Sequence, residues 1–389
     1  MNEDIVYLDY AASTPLDPRV AKFMAELLVN QKDSANPSSV HLAGRRASQL
    51  VDDASAQLAN LVNCQPSQLV WTSGATESDN IAILGATRYR EADGKHLITM
   101  PTEHKAVTDV FRALERQGFD VTWLKPDATG RLDMQQLDDA FRDDTQLVSI
   151  MYVNNETGVV QDIAAIGQRC RDRDVLFHVD AAQAVGKLPF DLTTLPVDLA
   201  SMTAHKIYGP KGIGALYIAD RPRCHVEPLM YGGGQQRMLR PGTLPVAQIA
   251  AFGLAADIAA TSMSADFEHV QMLRDRLWAG ICPIAGVARN GDAGNAYPGI
   301  LNVSIDDIEG ESLLLKLEPV CVATGSACNS QIQEPSYVLR ALGVSDAMAQ
   351  SAVRFSFGRM TSVEEVDLAI DRYRDAVEQL RAIAPEHVA

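Results

Sequence analysis

The chain has 389 residues, 47% of them hydrophobic and 22% charged, with a formal net charge of −16. That length supports two domains or one large α/β unit, and the acidic balance argues against nucleic acid or an anionic membrane surface as the principal partner. The six cysteines form no C-x-x-C pair and no cysteine/histidine cluster of zinc spacing, which predicts a reducing compartment, no metal site and no disulfide framework.

The N-terminus, M-N-E-D-I-V-Y-L-D-Y, is acidic and lacks the apolar core of a signal peptide. No uninterrupted apolar run is read as a membrane span, so the expected location is cytoplasmic. From Leu69 the chain alternates short apolar runs with helical patterns. Strands are predicted at Leu69–Thr72, His96–Met100, Val121–Leu124, Gln146–Met151, Leu176–Asp180, Leu199–Thr203 and Ala215–Ile218, with helices such as Ser78–Arg90 and Ala106–Gln117 between them. This alternation predicts an α/β fold with a mostly parallel sheet covered by helices on both faces. Ligands of such sheets bind beyond the carboxyl ends of the strands.

After Pro245 the texture changes. Two helices are predicted, Val246–Ala260 and Glu268–Gly280, followed by strands at Leu301–Ile305 and Val353–Phe357. A capping box of Thr361 and Glu364 opens a last helix, whose apolar residues from Val363 to Leu380 recur at helical spacing. This part reads as a smaller α/β domain. The division expected is 15–255 for a large domain, and 1–14 with 256–389 for a small one.

The predicted strand ends carry the polar residues. Lys206 follows a buried strand in S-M-T-A-H-K-I-Y-G-P-K-G-I-G, with Thr203 and His205 beside it. A desolvated lysine there loses its proton readily and becomes an amine nucleophile. Lys211, inside the Gly/Pro turn, reads as solvated, and G-P-K-G lacks Walker spacing. Asp180 ends the strand of F-H-V-D-A-A-Q-A-V-G-K, a costly place for a carboxylate without a partner such as a protonated ring nitrogen. Gln183, three residues on, is expected to hydrogen-bond the hydroxyl of such a ring. In W-T-S-G-A-T-E-S-D-N a strand runs through Gly74, Ala75 and Thr76 into a helix, an arrangement suited to phosphate. His104 in P-T-E-H-K, and Asn154 and Asn155 in Y-V-N-N-E-T-G, follow two further strand ends, while Arg354 lies within the apolar strand A-V-R-F-S-F and demands an anionic partner. Taken singly, each has a plainer reading as a loop lysine, a helix cap or a satisfied polar residue. Together, five strand ends supply a phosphate cradle, a histidine, an amide, an acid and a lysine.

These motifs, with R-P-G-T-L-P and the loop V-A-T-G-S-A-C-N-S-Q, resemble those of class V, fold type I pyridoxal phosphate enzymes, and more narrowly the housekeeping cysteine desulfurases of the iron–sulfur cluster system. The resemblance runs from Tyr7 to Arg359 and implies a seven-stranded large domain. It implies that Lys206 holds the cofactor covalently, Asp180 meets the pyridine nitrogen, Gln183 meets the ring oxygen, and His104 stacks on the ring and moves protons. It further implies that Gly74, Ala75, Thr76, Thr203 and His205 hold the phosphate, and that Thr243 reaches the phosphate of the other subunit of a homodimer. Asn155, also a cofactor contact, and Arg354 would take the carboxylate of the substrate L-cysteine, and Cys328 would accept its sulfur as a persulfide for an acceptor protein. Transient ligation of a partner's iron–sulfur cluster by Cys328 is a further implication.

The sequence also departs from the family. Thr203 stands where serine is frequent, Asn329 where threonine or serine is, and Pro241 replaces a serine. Gly232–Arg237 lacks an acid often present, and the tail after Arg381 is shorter than those that help dock a scaffold protein. These differences leave open an acceptor in tRNA thiolation or DNA phosphorothioate modification, and another class V aminotransferase or lyase activity as the alternative. The small residues around Cys328 predict a loop in which the thiol moves between donor and acceptor.

Overall fold

The computed structural model describes residues 5–30, 35–92, 94–324 and 335–383. Its strands, in chain order, are β1 (Val6–Tyr7), β2 (Leu69–Thr72), β3 (His96–Thr99), β4 (Asp120–Trp123), β5 (Thr145–Ser149), β6 (Leu176–Asp180), β7 (Leu199–Thr203), β8 (Gly214–Ile218), β9 (Val287–Asn290), β10 (Ile300–Ile305), β11 (Val320–Cys321) and β12 (Val353–Ser356). The helices are α1 (Pro18–Val29), α2 (Leu42–Val62), α3 (Ala75–Tyr89), α4 (Lys105–Arg116), α5 (Met134–Ala140), α6 (Ile163–Asp172), α7 (Val246–Ile281), α8 (Gly310–Leu317), α9 (Tyr337–Ala341), α10 (Asp346–Gln350) and α11 (Val363–Ile383).

All seven predicted strands form and make one sheet in the order β2-β8-β7-β6-β5-β3-β4. Only β8 runs against its neighbours. Strands β2, β3, β5, β6, β7 and β8 are buried along their whole length, which is why they read as continuous apolar runs rather than as alternation. Because β2, β3, β5, β6 and β7 point the same way, their carboxyl ends meet along one edge. At β8 the antiparallel pairing brings Gly214 opposite Thr72. A Cβ at Gly214 would lie 2.6 Å from the Gly74 Cα and from the Met202 carbonyl oxygen. Gly214→Ala is therefore expected to destabilise the chain by about 1–3 kcal/mol through overpacking, measured as a lower denaturant midpoint; an unchanged midpoint would contradict this packing.

The rest of the chain builds an antiparallel sheet, β12-β10-β9, and a parallel pair, β1-β11. One apolar core surrounds the large sheet, and a second is formed by β10, β12, α8, α11 and the end of α7. The residue pair 255/256 lies inside α7, whose Ile249–Ala259 side belongs to the first core and Val270–Ile281 side to the second.

Two helical expectations are corrected. The stretches Val246–Ala260 and Glu268–Gly280 are one helix of 36 residues. The Thr261 and Ser262 hydroxyls bond back to the Ile258 carbonyl, each at 2.9 Å, so the polar stretch between them does not interrupt the helix. By length and composition this helix could cross a membrane, contrary to the reading of the sequence, but half of its most apolar window is buried within the fold. It packs closely on α2, where a Cβ at Gly253 would stand 2.5 Å from the Ala54 Cα. The capping box of α11 is Ser362 with Glu365, one residue later than expected: Glu365 N–H donates to Ser362 Oγ at 3.1 Å and Ser362 N–H to Glu365 Oε2 at 2.7 Å. Thr361 Oγ1 instead accepts from Gly358 N–H.

Candidate active site

Where β2 ends, Ser73 and Gly74 lead straight into α3, whose first turn carries no side-chain cap. Its free N–H groups form a site of positive potential. The loop is held from behind. Thr72 Oγ1 and Ser78 Oγ lie 2.8 Å apart, and Arg240 Nε donates to Glu77 at 2.8 Å. Burial pushes the Glu77 carboxyl up, but Arg240 and Ser73 outweigh it and hold the group below its ordinary value.

In the strand order of the sheet, the end of β7 comes next but one. Lys206 closes a short turn after Thr203, and its Nζ donates to the Ala11 and Ala12 carbonyls, the latter at 2.8 Å. Burial, with repulsion from Arg354 and against attraction from Asp180 and Asp9, pushes this lysine down to about 8. Burial, with repulsion from Lys206 and Lys187, pushes the neighbouring His205 down to about 4, so it is neutral at physiological pH.

Asp180 ends β6, buried, and its Oδ1 accepts from Ala182 N–H at 2.9 Å. Burial raises its pKa, opposed by His104 and Lys206. Gln183 Nε2 donates to the Ala11 carbonyl at 2.8 Å. His104, after β3, caps α4 by accepting from Ala106 N–H on Nδ1 at 3.1 Å. Arg354 on β12 is buried; Nη1 donates to the Asn155 carbonyl at 2.8 Å and Nη2 to Asp9 Oδ1 at 2.7 Å. Its Nε, and Oδ1 of Asn155, are buried with no partner among the described residues.

Gly74, Ala75, Thr76, His104, Asn155, Asp180, Gln183, Thr203, His205, Lys206 and Arg354 all line one cavity of about 610 Å³. Thr243 does not; it is exposed and lies outside that lining. Cys328 lies outside the described residues. The two asparagines separate: Asn154 is structural, its Nδ2 donating to the Thr102 carbonyl and its Oδ1 accepting from Glu156 and Thr157 N–H. Lys211 is exposed, as expected, yet stands at the rim of the cavity.

Sequence reasoning missed the N-terminal wall. Asp9, Ala11, Ala12 and Ser13 reach the site because β1 pairs with β11 and Leu8 and Asp9 run beside Ser356, next to Arg354. The one available signal was the acid of I-V-Y-L-D-Y at the end of an apolar run. Three further buried acids, Asp79, Glu103 and Glu156, lie close by, each raised by its burial.

The site thus offers an anion-binding helix start, a buried carboxylate able to meet a cationic ring nitrogen, an amine that titrates near neutrality, and a buried guanidinium in the lining. The aminotransferase class-V family model matches residues 6–368. The cysteine desulfurase IscS of Pectobacterium atrosepticum is 54% identical over 381 residues, 98% of this chain and 94% of that protein; the same enzyme of Escherichia coli strain K12 is 53% identical over the same shares. Among solved structures, a NifS-like protein superposes with a TM-score of 0.90 at 34% identity, covering 97% of this chain and all of the other. DndA from Streptomyces lividans follows at 0.79 and 43% identity, over 90% and 99%. On this match of family, fold and nearly full-length sequence, the chain belongs to the class V aminotransferases and, among them, to the pyridoxal phosphate-dependent cysteine desulfurases.

Proposed function

We propose that this enzyme moves the sulfur of L-cysteine onto Cys328, releases L-alanine and passes the persulfide sulfur to an acceptor protein of iron–sulfur cluster assembly. The observation that carries the site assignment is the convergence of Lys206, Asp180, Gln183, His104 and Asn155, from four strand ends of the large sheet, and Arg354, from β12, on one cavity.

The lining fits pyridoxal phosphate. The uncapped start of α3, with the Thr76 and Thr203 hydroxyls and the neutral His205 ring, suits the phosphate. Asp180 has no cationic partner within ion-pair distance among the described residues, and a protonated ring nitrogen would supply one. Gln183 would serve the ring oxygen and His104 the ring face. When bound, the cofactor supplies an electron sink that acidifies the Cα–H bond of an amino acid. Lys206 would hold the cofactor and, once released by substrate, move the Cα proton. The Arg354 guanidinium would attract the substrate carboxylate, and the NH₂ group of the Asn155 amide would donate to it.

In the sulfur step the Cys328 thiolate attacks the substrate's Sγ. The S–S bond forms, the Cβ–Sγ bond breaks with its electron pair passing to the carbon side, and a proton completes the methyl group of alanine. Thr243, exposed on its own chain, would serve the phosphate of the second subunit of a cytoplasmic homodimer. Radioactive cysteine sulfur supplied to cell extract tests the acceptor: label on an iron–sulfur scaffold protein supports the reading, and label on a tRNA- or DNA-thiolation protein replaces it.

Arg354→Gln removes the charged donor while keeping an amide. The KM for cysteine is expected to rise about 10- to 100-fold, the worth of one hydrogen bond to a charged group, with kcat changed far less. Steady-state kinetics decide this, and an unchanged KM would remove Arg354 from the carboxylate site.

A further inference from the structure

Lys187 follows Gln183 by four residues in the segment leaving β6. Its Nζ donates to Gln183 Oε1 at 2.7 Å and lies 5.5 Å from the centroid of the Tyr297 ring. On the other side of the same amide, Gln183 Nε2 donates to the Ala11 carbonyl at 2.8 Å, an oxygen that also accepts from Lys206 Nζ.

A primary amide has two orientations that exchange its oxygen and its NH₂ group. Here both neighbours select the same one. The Lys187 ammonium only donates and the Ala11 carbonyl can only accept, so with the lysine charged a flipped Gln183 would set NH₂ against the ammonium and oxygen against oxygen, losing both bonds. Burial, with repulsion from Lys206 and Arg354, pushes Lys187 down to about 7. Its ammonium and amine forms both carry N–H donors, so the bond to Oε1 survives that titration; the amine also has a lone pair, and in that form the Ala11 carbonyl selects the orientation.

We propose that Lys187 is a positioning residue: together with the Ala11 carbonyl it locks the Gln183 amide so that N–H, not the carbonyl, is presented to the ring oxygen of the cofactor. The proposal rests on the reading of Gln183 as the partner of that oxygen. A ring oxygen that carries negative charge needs a donor, and an unlocked amide would spend part of its time presenting an acceptor, which repels it.

The test is a double-mutant cycle on the dimeric apoenzyme with Lys187→Met, Gln183→Ala and the pair. The readouts are the Kd for pyridoxal phosphate, from quenching of tryptophan fluorescence, and the visible absorption maximum of the loaded protein. Lys187→Met is expected to weaken cofactor binding about tenfold in the parent, and by less than about twofold once Gln183 is alanine, because groups that act through one another are not additive. Equal losses in both backgrounds, or none in the parent, would overturn the role of Lys187. If Gln183→Ala alone leaves the Kd and the absorption maximum unchanged, it is the assignment of Gln183 that fails. The apoenzyme melting temperature of Lys187→Met is expected within about 3 °C of the parent; a collapse would make Lys187 a structural prop and also overturn the proposal.

Discussion

Lys206→Ala is expected to lower alanine release by about 10²- to 10⁴-fold or more, the scale of losing a positioned acid–base group. The side chain is buried at the end of β7 and bonded to two backbone carbonyls of the N-terminal wall. It has no carboxylate within ion-pair distance among the described residues, so burial and Arg354 push it down to about 8. Only the neutral amine attacks a carbonyl carbon. Loading of the parent apoenzyme with cofactor should therefore quicken about tenfold per pH unit below that value and level off above it. Alanine released per minute and the visible absorption of the loaded protein are the two measurements. Near-normal turnover by Lys206→Ala would remove the residue from the chemistry.

The second large effect is expected at Cys328. Among the described residues no cysteine lines the cavity. Cys64 and Cys224 are pushed up to about 12 by burial and Cys170 higher still, so these three are thiols rather than thiolates at neutral pH. Cys282 and Cys321 are exposed and outside the lining. Cys328→Ala is expected to abolish radioactive persulfide on the protein and to reduce alanine formation to a few per cent or less, the deficit expected on losing an activated nucleophile. Cofactor absorption and the binding of cysteine should stay at parental levels, because the described lining is unchanged. Undiminished alanine formation would point to a class V lyase that needs no cysteine.

What was legible in the chain follows from how parallel sheets bury their strands. A strand covered on both faces must be apolar throughout, so each announces itself as a run, and the first polar residue after it falls at the carboxyl edge. That is how the polar segments that carry Thr76, His104, Asn155, Asp180 and Lys206 were legible before any contact was known. The break expected after Ala260 was less legible, because threonine and serine can either end a helix or bond back to it, and in α7 they bond back.

The sequence by itself therefore determined the class of sheet, the seven strands and the polar residues at five of their ends, since these depend on local periodicity and on the cost of burying charge. Only the tertiary structure decided which residues close the site from outside the sheet. Asp9, Ala11 and Ala12 stand at the wall because β1 pairs with β11, more than 300 residues away along the chain. Lys187 and Gln183 were four apart in the sequence, yet the meaning of their bond depends on the Ala11 carbonyl brought up opposite them. Such contacts arise from pairing across the fold, and no periodicity in one segment encodes the partner that another segment delivers.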